Sequence, residues 1–329
     1  MLEVSNLSIN VFHKKKWYSS VSNVSLTVNK GDIVGIIGES GSGKTLTAKA
    51  ISNLLPANVT ADGEILFNGE NLSKASGKQW QNIYGNKISY IFQNPMTALN
   101  PVMKIGVQVM DAYLAHHPKE KKQAKKIALE TLEMAGIKEA ERIFLSYPHE
   151  LSGGLKQRVI IAIAIVNRPD LVIADEPTTA LDAAVRKQIL DLFINLRDQL
   201  GLSILLISHD ISAIQYICDK IIVLYGGKLL EKGDCSVVLK APAHPYTQAL
   251  LQSIPRMTGP REIKGIPGAV PSLSETFKGC NFAPRCPFKH ELCTSEQPLL
   301  RVSGDPHREV ACHRPITALA EARKQAMEV

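Results

Sequence analysis

Apolar residues fall along this chain in two rhythms. Unbroken runs, Ile33-Val34-Gly35-Ile36-Ile37, Leu171-Val172-Ile173-Ala174, Ile204–Ile207 and Ile221–Tyr225, read as strands buried on both faces. Longer stretches with helical spacing, Ala183–Leu200 and Ile211–Cys218, lie between the later runs. That alternation predicts a parallel sheet with crossover helices. Strand-like runs at Leu2–Leu7 and Val24–Val28 open the chain, and Gly63–Gly69 reads as a hairpin strand closed by Asn68-Gly69. From about residue 94 to residue 166 the pattern turns helical. After Leu239 it becomes proline-rich and irregular, as in Ala241-Pro242-Ala243-His244-Pro245 and Ile266-Pro267-Gly268-Ala269-Val270-Pro271. The pattern divides the chain into a main domain over 1–241 and an extension over 242–329, whose own core is expected to be small.

Composition narrows the class. The 329 residues are 45% hydrophobic and 21% charged, ordinary for a globular protein. No apolar run approaches a membrane span, and Met1-Leu2-Glu3-Val4 has no secretory-signal character, so a cytosolic enzyme is expected. The net charge of +7 hints at an anionic partner, but no nucleic-acid-reading motif accompanies it. The densest basic run, Lys119–Lys126, starts a helix with Ala124, Ile127, Ala128, Leu132 and Ala135 on one side, so its lysines read as a solvated face.

The chemistry begins at Gly38-Glu39-Ser40-Gly41-Ser42-Gly43-Lys44-Thr45, which fits G-x-x-x-x-G-K-[ST] between a buried strand and a helix-forming segment. Such a loop aims backbone N–H groups and a helix N-terminus at one point. Lys44 can reach the β- and γ-phosphates of a nucleotide, and the Thr45 hydroxyl can ligate Mg²⁺. A second element is the strand Leu171–Ala174 running into Asp175-Glu176. Asp175 at the strand tip suits Mg²⁺, and Glu176, one residue on, suits polarisation of a water.

The remaining motifs carry a family resemblance. Leu151-Ser152-Gly153-Gly154-Leu155-Lys156-Gln157-Arg158 resembles the signature motif of ABC-type ATPases. Asp175-Glu176-Pro177-Thr178-Thr179-Ala180-Leu181-Asp182 resembles their Walker B motif and D-loop, Gln93 their Q-loop, and His209 their switch histidine. The fifth signature position is Leu155 where glutamine is common, so no polar contact is expected from it. The proline-rich segments, Gln93–Pro101 and Pro148-His149-Glu150 are similar to the oligopeptide/dipeptide importer ATPases.

This resemblance implies a RecA-like P-loop core with an antiparallel β subdomain, a helical subdomain at about 94–166 and a C-terminal extension. It implies ATP and Mg²⁺ as cofactors, with two domains paired head to tail. Gly38–Thr45 would hold the phosphates, with Thr45, Gln93 and Asp175 at the metal. Glu176, His209 and Gln93 would serve hydrolysis, while Ser152, Gly153, Gly154 and Asp182 would act across the dimer. Adenine would stack on an upstream aromatic. Tyr18 is the choice from its spacing to Val24-Ser25-Leu26, with Trp17 and Phe12 as alternatives. The implied setting is the cytoplasmic face of the cell inner membrane. A second ATPase subunit, two permease subunits and an extracytoplasmic binding protein are the implied partners, and no nucleic acid. Another cargo, such as nickel, stays open, as does homodimer against heterodimer, although the resemblance favours two different ATPase subunits. A soluble ABC ATPase acting on nucleic acid or ribosomes, or a regulatory subunit without turnover, are the rival readings. The single P-loop and the intact Lys44, Glu176 and His209 oppose them.

Four of the six cysteines, Cys280, Cys286, Cys293 and Cys312, fall in the extension with spacing C-x5-C-x6-C-x18-C. Cytosolic disulfides are rare, and structural zinc favours closer pairs. The wider gaps suit a [4Fe–4S] cluster, as the resemblance also implies, with Zn²⁺ or free thiols as alternatives. Cys218 and Cys235 read as packing residues.

Overall fold

The computed structural model describes residues 1–94, 98–179, 181–253, 265–275, 277–302 and 305–314. Pro95–Thr97 of the Gln93–Pro101 segment and Ala180 of the D-loop lie outside the described residues. By contacts the chain forms two compact units, one of residues 1, 28–33 and 68–208, the other of 2–27, 34–67 and 209–329.

The first unit contains three parallel strands. Ile88–Ile91 pairs with Leu171–Asp175, Tyr90 opposite Ile173, and Leu171–Asp175 pairs with Ser203–Ile207, Asp175 opposite Ile207. Every residue of these strands is buried, which explains why their sequences carry no polar alternation. Helices Ile105–Leu114, Lys121–Met134, Ala140–Leu145 and Gly153–Ile165 fill the segment expected to be helical. The basic helix turns Ala124, Ala128 and Leu132 inward and leaves its lysines outside, as the pattern predicts. Ala183–Leu200 then forms one helix, stopped by Gly201 in the left-handed conformation at φ 65°.

The second unit contains an antiparallel pair and a further group of paired strands. Leu2–His13 pairs with Val59–Phe67 from Leu2 opposite Phe67 to Val11 opposite Val59. Strand Ile33–Ile37, which feeds the glycine loop, runs parallel to Lys220–Tyr225. Lys220–Tyr225 turns through Gly226-Gly227 into Lys228–Asp234. The extension then adds strand Arg308–Val310 against Lys228–Asp234, Val310 opposite Glu231, and Arg301–Val302 pairs with it in turn. The extension is therefore built onto the sheet that carries the glycine loop's own strand.

Its entry is pinned by the fully buried Glu231, whose carboxylate accepts from the N–H groups of Ala243 at 2.7 Å and His244 at 3.0 Å. Burial raises the Glu231 pKa, although these bonds oppose the rise. His244, held neutral by burial with its pKa lowered to about 3, caps helix Pro245–Gln252 by accepting the Tyr246 N–H. Among the described residues no helix is long and apolar enough to cross a membrane.

Candidate nucleotide site

The glycine loop closes around its own lysine. Lys44, only 7% exposed, donates to the carbonyls of Gly38 at 2.8 Å and Glu39 at 2.9 Å. Two glycines make this course possible. Gly38 has φ 155°, and a Cβ there would stand 2.1 Å from the Leu224 carbonyl oxygen. Gly43 has φ 97°, and its Cβ would meet a Val21 methyl at 2.6 Å. Neither position admits a side chain. Helix Lys44–Ile51 starts at the lysine itself, earlier than the apolar pattern alone predicts, so its first N–H groups belong to the loop. Thr45 stands in the first turn of that helix, half-buried.

The Val21 contact bears on the aromatics upstream. Side chains alternate along strand Lys16–Val28, so Trp17 shares the face that Val21 turns to the loop, and Tyr18 takes the other face. Trp17 lies against Phe12 with ring centroids 5.2 Å apart, and both are exposed.

In the other unit, the strand-end acids are gripped by neighbours. Asp175 is buried and accepts a 2.9 Å hydrogen bond from the Tyr90 hydroxyl. Burial first, then the adjacent carboxylate, raises the Tyr90 pKa, so the hydroxyl keeps its proton and stays a donor. Glu176 has φ 49°, unusual for a residue with a side chain and typical of functional sites that hold backbone strain. Its Oε2 accepts from Gln93 Nε2 and Thr179 Oγ1, both at 2.9 Å. Gln93 and Glu176 were expected at one site and are in direct contact. Tyr90 and Thr179 were not foreseen. Tyr90 did leave a signal, because a hydroxyl in a wholly buried strand needs a partner.

The signature segment forms a helix start. Ser152 is the N-cap of Gly153–Ile165 and accepts the Leu155 N–H at 3.4 Å. Gly154 packs so closely against Ala183–Leu200 that a Cβ would lie 2.8 Å from a Val185 methyl, whereas at Gly153 the nearest atom would be 3.7 Å away. Asp182 caps Ala183–Leu200, its carboxylate accepting the Val185 N–H at 2.9 Å. His209 is exposed just before helix Ile211–Ile217, which Asp210 caps.

All six cysteines are free. Cys280, Cys286, Cys293 and Cys312 line one small cavity of about 20 Å³ with Phe282 and Phe288. Burial raises the pKa of Cys280 and Cys312 to about 11, and of Cys286 in the same direction. Among the described residues no group of three or more His, Cys, Asp or Glu side chains is arranged to hold a metal ion. Cys218 packs near Gly35, and Cys235 is buried with its thiol bonded to the Ile214 carbonyl, as expected of packing residues.

Residues 21–179 match the ABC transporter family model, and residues 230–293 match that of the oligopeptide/dipeptide transporter C-terminal region. The chain is 40% identical over 319 residues to the dipeptide transport ATP-binding protein DppD of Escherichia coli (strain K12), covering 96% of this chain and 97% of the relative. It is 42% identical over 315 residues to the oligopeptide transport ATP-binding protein AppD of Bacillus subtilis (strain 168), covering 95% and 96%. A solved post-hydrolysis dimer of the ATP-binding cassette MJ0796 bound to ADP and Pi matches with a TM-score of 0.64 at 28% identity, covering 71% of this chain and 99% of that one. The chain belongs to the ABC transporter ATP-binding proteins, in the branch that carries the oligopeptide/dipeptide transporter C-terminal region.

Proposed function

We propose that this chain is the ATP-hydrolysing subunit of an importer for dipeptides or oligopeptides. The observation that carries the reading is similarity to peptide-transport ATP-binding proteins along nearly the whole chain, the extension included. The chain divides for this purpose into a cassette over 1–241 and an extension over 242–329. It works at the cytoplasmic face of the cell inner membrane without entering it. Its partners are a second ATPase subunit, two membrane-spanning permease subunits and, through them, an extracytoplasmic binding protein.

Phosphoryl transfer to water is chiefly a matter of positioning and charge. Gly38–Thr45 wrap the phosphates, and Lys44 exchanges its loop carbonyls for phosphate oxygens. Thr45, Asp175 and Gln93 would hold Mg²⁺, which would supply charge neutralisation to the phosphates. Glu176 takes the water's proton, and His209 serves the γ-phosphate. Ser152 and the N–H groups of Gly153 and Gly154 serve a nucleotide on the partner subunit's glycine loop, with Asp182 beside them in the pairing. For adenine, the shared face with Val21 favours Trp17 and its neighbour Phe12 over Tyr18.

The four thiols of the extension suit a soft metal centre. Their donor chemistry is what supports a [4Fe–4S] cluster, for which the cavity of about 20 Å³ would have to open. Zn²⁺ on the same four thiols is the alternative. Such a centre would staple the extension and plays no step in hydrolysis.

Affinity purification of the tagged chain from membranes tests the reading. Permease subunits and peptide-stimulated ATP turnover are expected. Copurification with nucleic acid or ribosomes, without permeases, would overturn it.

A further inference from the structure

The second residue of the glycine loop is an acid, and it is held by the extension. The Glu39 N–H donates to the Tyr246 hydroxyl at 2.8 Å. Its carboxylate takes a fork from Arg285, Nη1 at 2.6 Å from Oε2 and Nη2 at 3.2 Å from Oε1. The Arg285 side chain is only 6% exposed. Nη1 also donates to the Tyr225 hydroxyl at 3.1 Å, Nη2 to the Ile266 carbonyl at 3.0 Å, and Nε to the Pro267 carbonyl at 2.8 Å. A guanidinium has five N–H donors, and each has an acceptor here. Arg285 ends the short turn Ala283–Arg285, immediately before Cys286.

This arrangement is more than a surface ion pair. A nucleotide triphosphate brings about four negative charges to the loop, and a carboxylate within the loop opposes them at a range that salt screens poorly. A buried, fully bonded guanidinium on that carboxylate removes the opposition and fixes the loop's first turn. Lysine could not do both, having no planar fork.

We propose that Arg285, supplied by the C-terminal extension, is a positioning residue of the ATP site that acts by neutralising Glu39. The inference rests on the glycine loop being the ATP site, and Lys44→Ala tests that separately. If Lys44→Ala binds nucleotide like the parent, the site reading fails, whatever Arg285 does.

The experiment is titration of the full chain with a fluorescent ATP analogue at low and high salt. Arg285→Gln should weaken binding about tenfold at low salt, the weight of one charge-assisted hydrogen bond. Adding Glu39→Gln should restore affinity to within about threefold of the parent, because the opposing charge is gone. A merely structural Arg285 would give no such rescue. Glu39→Gln alone should bind at least as tightly as the parent. Parent-like binding by Arg285→Gln, or a double variant as weak as the single one, would overturn the proposal. Should Arg285→Gln fail to fold, Glu39→Gln decides alone, and weaker binding by that variant refutes charge balancing.

Discussion

Glu176 is constrained twice, by a left-handed backbone and by two donors on one carboxylate oxygen. Glu176→Gln keeps the size of the group and removes its basicity. ATP binding should persist while turnover falls by about 10²–10⁴, the usual contribution of a positioned base. Phosphate release from the assembled transporter measures this, and parent-like release would remove Glu176 from the base role. Gln93, Asp175 and Glu176 were legible in the sequence because they sit in motifs. Tyr90 and Thr179, which hold the acids, were not singled out, since motif order says nothing of what touches a side chain. Spacing to Val24-Ser25-Leu26 points to Tyr18, whereas strand parity puts Trp17 on the face that carries Val21 against Gly43.

At the scale of elements, the helices and buried strands of the sequence pattern are present, and their ends are where reading fell short. The glycine-loop helix begins at Lys44 and the signature helix at Gly153, both ahead of their apolar runs. Helix starts are set by caps and loop geometry, which hydrophobic spacing does not record. The two signature glycines illustrate the difference. Gly154→Ala pushes a methyl into Val185 and should cost about 1–3 kcal/mol, as overpacking does. Gly153→Ala meets only ordinary contact and should alter stability by about 0.5 kcal/mol or less. Thermal unfolding of the two variants separates them, and equal melting temperatures would contradict the packing. The strand Leu2–His13 also outruns its predicted length, continuing past Leu7 against Val59–Phe67.

For the whole chain, the change of composition after Leu239 does not show what the later segment joins. Its irregular, proline-rich look suggested a separate appendage. It instead contributes strands to the glycine-loop sheet and two side chains to Glu39. No local pattern could reveal partners so far apart in sequence. Its cysteines should still act as a unit, because a shared centre makes metal binding part of folding energy. Anaerobically purified protein should be brown with about four irons, and serine at any of Cys280, Cys286, Cys293 or Cys312 should lower yield and iron together. One zinc and no iron by elemental analysis would replace the cluster, and four freely alkylated thiols without metal would exclude both.

Arg285 follows Glu39 by 246 residues. At about 5–20 residues per second, a ribosome needs roughly 10–50 s to go from one to the other. Through that interval the emerging chain has every residue of its phosphate loop and lacks the counter-charge. A chain broken off before Arg285 keeps the motif by which such proteins are recognised, yet presents ATP with an unbalanced acid. The guanidinium that meets Glu39 is thus supplied only once the final quarter of the protein has been made.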